Sequence, residues 1–278
     1  MKSDNIQLIA LDLDGTVLTS DKQVTDRTLD AITAVIERGI EIVYITGRPF
    51  TGMPAGLMDV RGVNYVVTSN GALTYDLCSK RKLRKKVMTD EAAAGIMEMP
   101  GISGLIYSVF IDGIGYSDQK TFEMIRHRYD GTIFEEYVRN SRRPADDITE
   151  LIYRSDEGVE NIWITTPDVR RRDDINAEIK SRWGLRTVLT GHTDVEAGHT
   201  ACDKGLALSD LAGHLGIRME NVMAIGDNDN DRGMLSEAGF SVAMGNAPDF
   251  VKKAAAMVTD TNDNDGVAKV LEKILLQQ

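Results

Sequence analysis

The 278-residue sequence has little cysteine, a shortage of positive charge and no long apolar run, and each lack excludes something. Its two cysteines, Cys78 and Cys202, are far apart and fit no metal-ligand spacing. Neither a disulfide nor a cysteine metal site is expected, and a reducing cytoplasm is the expected compartment. Lys and Arg number 32 against 43 Asp and Glu, for a formal charge of −11. Phosphate backbones and anionic bilayers need a basic footprint, which argues against nucleic acid or a membrane surface as the main partner. A small anionic substrate stays open, because a metal ion and a few local cations can reverse the field in one pocket. No apolar segment approaches the length of a membrane span. With a charged motif by residue 12, no signal peptide is expected, and there is no repeat or low-complexity tract.

What is there centres on Ile6–Thr16, IQLIALDLDGT. The apolar run through Leu11 reads as a strand buried on both faces, ended by a turn at Gly15. Asp12 and Asp14 at its end are costly like charges unless something compensates them, and a metal ion is the usual compensation. Thr25 is a good N-cap for a helix whose apolar face is Leu29, Ile32, Val35 and Ile36, closed by Gly39. Ile40–Ile45 is a second buried strand, running into Thr46-Gly47-Arg48. The two strands with their short links form a βαβ unit and are expected to be parallel. A third strand, Tyr65–Thr68, leads into Ser69-Asn70-Gly71. Leu73–Asp76 and Leu83–Met88 read as a hairpin leaving the sheet.

Near residue 86 the pattern changes to short strands with tight turns, Leu105–Ile111, Ile114–Tyr116 and Asn161–Thr165, and to helices over Asp90–Met99, Gln119–Tyr129 and Asp168–Trp183. This reads as an α+β module with an antiparallel sheet. Arg142-Arg143 and Arg170-Arg171-Arg172 read as a solvated helix face or loop, with contact to a substrate anion as the minority alternative. From about residue 190 the βα pattern returns. Lys204 opens a helix with Leu208, Leu211 and Leu215 on one face, and Val222–Ile225 is a buried strand running into Gly226-Asp227-Asn228-Asp229-Asn230-Asp231. The expected architecture is an α/β, doubly wound, mostly parallel sheet, with residues 1–85 and 190–278 as a Rossmann-like core and 86–189 as an inserted α+β domain.

Three apolar strands thus end in complementary polar groups, and in a parallel sheet such ends share one edge, where ligands bind. Carboxylates offering only oxygen suit a hard cation, with Mg²⁺ the natural choice. A hydroxyl, backbone N–H groups and an ammonium suit a phosphate.

Asp12-Leu13-Asp14-Gly15-Thr16, Thr46-Gly47-Arg48, Lys204-Gly205 and Gly226-Asp227 with Asn230-Asp231 together resemble the haloacid dehalogenase-like superfamily of phosphoryl-transfer enzymes. The four motifs occur in the family's order. Asn70-Gly71-Ala72 and Met234-Leu235 are similar to its Cof-type branch, whose type IIB cap is inserted between the second and third motifs. The resemblance implies Asp12 as the nucleophile forming an aspartyl-phosphate. It implies Asp14 as acid and base, with its backbone carbonyl on Mg²⁺. Asp12 and Asp227 would be the side-chain metal ligands, and Asp231 would steady the ion's water ligands. Thr46, the Gly47 N–H, Lys204, the Leu13 N–H and Asn230 would cradle the phosphate. Arg48 and Asn70 are candidate substrate contacts, with an ion pair and a turn as their plainer readings.

Taken singly, each motif also has an ordinary explanation. Asp12 and Asp14 could cap a turn, and Thr46-Gly47 could be a plain turn. Lys204 alone would be a surface lysine, although a cation is disfavoured at a helix N-terminus and a bound anion would explain it. Asp227–Asp231 lacks the spacing of a calcium loop. The four histidines read as surface residues, and Cys202 as structural. The combined reading is a Mg²⁺-dependent phosphatase, a phosphoric monoester hydrolase acting on small phosphorylated metabolites such as sugar phosphates. The alternatives are a phosphohexomutase-type transferase and a non-catalytic phospho-acceptor, which Asp14 beside the nucleophile disfavours.

Overall fold

The structure, a computed structural model, describes residues 5–277. In chain order its strands are β1 (Leu8–Leu11), β2 (Glu41–Ile45), β3 (Tyr65–Thr68), β4 (Leu73–Asp76), β5 (Arg81–Lys85), β6 (Ile106–Ile111), β7 (Ile114–Asp118), β8 (Arg142–Ala145), β9 (Val159–Thr165), β10 (Arg186–Thr190), β11 (Asp194–Gly198), β12 (Val222–Gly226), β13 (Phe240–Ala243) and β14 (Met257–Val258). The described chain divides into two compact units. One contains the residues up to Gly47, Pro54–Lys85 and the chain from Asp203 onward; the other contains Arg48–Met53 and Lys86–Cys202.

In the first unit the strand order is β14-β13-β12-β1-β2-β3-β4-β5, and the strands from β14 through β3 are all parallel. Every residue of β1 is buried, as an apolar run without alternation requires when both faces are covered. Leu8, Ala10, Val43, Ile45, Val67, Val222 and Ala224 pack on one face with Leu208, Leu211 and Ala212 of the helix Lys204–Leu215. Ile9, Leu11, Ile42 and Tyr44 point the other way and are fully buried too. The helix Asp26–Glu37, capped by Thr25 as its sequence demands, packs on β2 and on the helix Gly266–Gln277. The chain winds from β1 outward through β2 and β3, then returns to β12 on the opposite side of β1. The β1/β12 boundary is therefore a topological switch point, where the strand ends open a crevice.

The hairpin β4–β5 does not leave the sheet. It pairs antiparallel to β3, with Tyr65 opposite Asp76, and extends the edge. The turn between its strands simply folds each back onto its neighbour.

The second unit is a six-stranded sheet in the order β10-β11-β9-β6-β7-β8, antiparallel except for the β7–β8 pair. Its helices Asp90–Met97, Ile148–Arg154 and Val169–Trp183 contribute Ala92, Ala93, Ile96, Ile148, Ile152, Ile175 and Ile179 to a core with Val109, Ile162, Ile164 and Val195. Two boundaries differ from the sequence reading. Residue 190 ends β10, which pairs with β11 and through it with β9, so this unit runs on to Cys202. Arg48–Met53 also groups with it, through the Thr51 N–H donating to the Gly113 carbonyl at 3.1 Å.

The arginine runs part company. Arg170–Arg172 do lie on a helix. Arg142 and Arg143 instead form strand β8, and Arg142 is 5% exposed. RRPA has no apolar alternation to announce a strand, and its proline is tolerated because β8 is an edge.

Candidate active site

Asp12 follows β1 directly, and its N–H continues the ladder by donating to the Ile225 carbonyl at 3.0 Å. That bond sets the first and last acidic motifs side by side. Asp12, Asp227 and Asp231 each bring a carboxylate oxygen within 4.8 Å of the other two. Lys204, 1% exposed, donates from Nζ to Asp12 Oδ1 and to Asp231 Oδ1, both at 2.6 Å. The ammonium that looked misplaced at a helix N-terminus is therefore met by two carboxylates of the protein itself. The helix end has its own cap, since Asp203 Oδ1 accepts from the Gly205 and Leu206 N–H groups at 2.8 and 3.0 Å.

Asp231 is more than a third acid. Its Oδ2 accepts from the Asp227 and Asn228 N–H groups, both at 2.9 Å, and so shapes the loop that presents Asp227. With Oδ1 on Lys204, both of its oxygens accept hydrogen bonds within the protein. Burial, and then the charge of Asp231, hold Asp12 well above the usual carboxylate range despite the attraction of Lys204. The same two causes push Asp227 up to about 6. Burial would lower the Lys204 value, but Asp12 and Asp231 outweigh it and the ammonium is held more firmly than usual. Three crowded carboxylates against one ammonium leave uncompensated negative charge. A donor set of oxygen alone suits a hard cation, so this cluster can hold a metal ion.

The other expected residues fall into place by element. Thr46, 1% exposed, follows β2, and its carbonyl accepts from the Asn70 N–H at 3.0 Å. A side chain on Gly47 would press on the Asn70 carboxamide, with Oδ1 3.0 Å from its Cβ. Asn70 has φ 54°, beside Ser69 at φ 50°, and its Oδ1 accepts from Asn230 Nδ2 at 3.0 Å. The turn reading of Asn70 holds, and the turn also ties the third strand end to the Asp227 loop. The Leu13 side chain is fully buried, and its carbonyl accepts from the Thr16 and Leu18 N–H groups. The Asp14 carboxylate is not among the clustered acids; Lys22 Nζ lies 2.9 Å from its Oδ1. Arg48 groups with the second unit, where it donates to the Gly52 carbonyl at 3.1 Å and lies 4.9 Å over the Tyr137 ring. Cys202 is buried, in keeping with a structural role.

Sequence reasoning missed three residues here. Thr16 Oγ1 donates to Asp227 Oδ1 at 3.2 Å. Asn246 Nδ2 donates to the Gly15 carbonyl at 2.8 Å and reaches Asp227 Oδ2 at 3.4 Å. Lys22, with φ 61°, is the third. Only Thr16 stood inside a motif; the others are single polar loop residues with no spacing to betray them.

The sequence profile of the haloacid dehalogenase-like hydrolases matches residues 9–271. The chain belongs to that family. It is 28% identical over 272 residues to a 5-amino-6-(5-phospho-D-ribitylamino)uracil phosphatase of Bacillus subtilis, covering 98% of this chain and 97% of the relative. It is 28% identical over 276 residues to pyridoxal phosphate phosphatase of Escherichia coli, covering 97% and 99%. Its fold matches a haloacid dehalogenase-like hydrolase from Bacteroides thetaiotaomicron with TM-score 0.84 and 27% identity, over 97% and 99% of the two chains. The expected α/β architecture and the expected class, a phosphoric monoester hydrolase, stand with these relatives. No helix among the described residues is long and apolar enough to cross a membrane.

Proposed function

We propose that this member of the family is a Mg²⁺-dependent phosphatase of small phosphorylated metabolites, working through an aspartyl-phosphate on Asp12. The observation that carries the reading is the meeting of Asp12 and Asp227 on one sheet edge, with Lys204 bonded to Asp12. Mg²⁺, held by Asp12, Asp227 and the Asp14 carbonyl, would neutralise phosphoryl charge and offset the repulsion among the acids. Asp12 attacks phosphorus in line, its carboxylate oxygen forming the new bond as the ester oxygen leaves. Asp14 gives that oxygen a proton. In the second half Asp14 takes a proton from water, the water oxygen attacks the same phosphorus, and Asp12 leaves with inorganic phosphate released. Lys204, Thr46, Asn230 and the Leu13 and Gly47 N–H groups stabilise the oxygens as charge moves onto them. Asp231 acts by position, holding Lys204 and the Asp227 loop. The names of the curated relatives, one for a ribityl phosphate and one for pyridoxal phosphate, support small phosphomonoesters as the substrate class.

Hydrolysis of p-nitrophenyl phosphate is expected to require Mg²⁺, to stop with EDTA, and to fall at least about 10³-fold in Asp12→Asn, as loss of a nucleophile demands. Turnover retained by Asp12→Asn would remove Asp12 from this role. A panel of phosphorylated metabolites, scored by phosphate release, then finds the substrate; a hexose 1-phosphate converted to its 6-phosphate without phosphate release would make the enzyme a mutase instead.

A further inference from the structure

We propose that the second unit carries a binding site for a small organic anion with a flat apolar body, in a cavity of about 420 Å³ formed by the helices Gln119–Tyr129 and Glu135–Ser141 and strand β8. The volume is that of an ordinary small-molecule site. Arg126, Arg139, Arg142 and Arg143 line it. In a chain with a formal charge of −11, four guanidiniums on one cavity are an exception that composition does not supply. None of the four forms an ion pair among the described residues. The two carboxylates on the same wall, Asp130 and Glu135, leave the guanidiniums in excess, and Glu135 already accepts from the Gly131 N–H at 3.0 Å.

Arg142 carries the argument furthest. It is 5% exposed, yet every group that holds it is neutral. Nε donates to Ser108 Oγ at 3.0 Å, Nη1 to Ser141 Oγ at 2.7 Å and Nη2 to the Tyr137 hydroxyl at 3.4 Å. Its guanidinium carbon lies 4.5 Å from the Phe110 ring centroid and 5.1 Å from that of Tyr137. A buried cation fixed by hydroxyls and ring faces, without a counter-charge, is an expensive arrangement that a bound anion would compensate. Arginine forks match the planar or tetrahedral oxygens of carboxylate and phosphate. The half-buried rings of Phe122 and Tyr129 give the cavity apolar walls, so the ligand is an anion attached to a flat body rather than a bare inorganic ion.

The test is a calorimetric titration of the full-length protein, stripped of metal with EDTA, with phenylphosphonate, whose P–C bond hydrolysis does not cleave. Saturable binding of one equivalent is expected. The double variant Arg139→Gln/Arg143→Gln alters exposed side chains and keeps the wild-type circular dichroism, and should weaken binding by about tenfold or more. Benzoate tests carboxylate against phosphonate as the anionic group. Inorganic phosphate, lacking the ring, should bind about tenfold more weakly than phenylphosphonate. An unchanged affinity in the double variant would overturn the site, and equal affinity for inorganic phosphate would overturn the flat body. Because neither metal nor turnover enters the measurement, its failure leaves the hydrolytic reading untouched.

Discussion

Asp227 shows at a single residue how the crowded acids would couple to a bound metal ion. Its carboxyl is raised from 3.8 to about 6, so without metal the folded protein holds that proton more tightly than the unfolded chain does. The stability this contributes is fully present below pH 3.8 and is lost as pH rises through about 6. A divalent ion competes with the same proton, so it stabilises more once the proton has gone. The expected outcome, read by thermal denaturation of EDTA-treated protein, is a larger rise in Tm on adding Mg²⁺ at pH 7.5 than at pH 5. An equal rise at both pH values would mean that Asp227 is not a ligand.

At the scale of elements, the helix Lys204–Leu215 brings its first residue to the acids and is held at that end by the Asp203 cap. Asp203→Ala removes the acceptor for two N–H groups and is expected to cost about 1–2 kcal/mol in urea unfolding. It should also lower kcat for aryl phosphate hydrolysis more than it raises KM, because the cap fixes the start of the helix that delivers the ammonium. The elements that converge here were legible beforehand for a plain reason. β1, β2 and β12 end in apolar runs that stop at Asp12, Thr46 and Asp227, and a parallel sheet aligns such ends. The strand β8 was not legible, because Arg142 is also held by Ser108 and Phe110, which are distant in sequence. Asn246 stayed hidden for a similar reason: its contacts with Gly15 and Asp227 exist only once the sheet is assembled. The second boundary was misjudged because β10 and β11 have weak patterns of their own and are strands by virtue of pairing, β10 with β11 and β11 with β9.

Across the whole molecule, the two units keep separate apolar cores, one built around Leu8, Val43 and Val222 and the other around Val109, Ile162 and Ile175. Both tryptophans, Trp163 and Trp183, belong to the second unit, whereas the acidic cluster belongs entirely to the first. Separate cores permit unfolding in more than one step. Added Mg²⁺ is expected to raise the midpoint followed by far-ultraviolet circular dichroism while moving that of tryptophan fluorescence little. Coincident midpoints that shift together would show the units to unfold as one. The ammonium of Lys204 has a last consequence for chemical labelling. Its side chain has no solvent exposure and both of its neighbours grip it, so acetic anhydride applied to the native protein should acetylate the surface lysines and spare this one. A peptide map would then find Lys204 unmodified until urea is added, making that single amine a reporter of whether the crevice around the acidic cluster is intact.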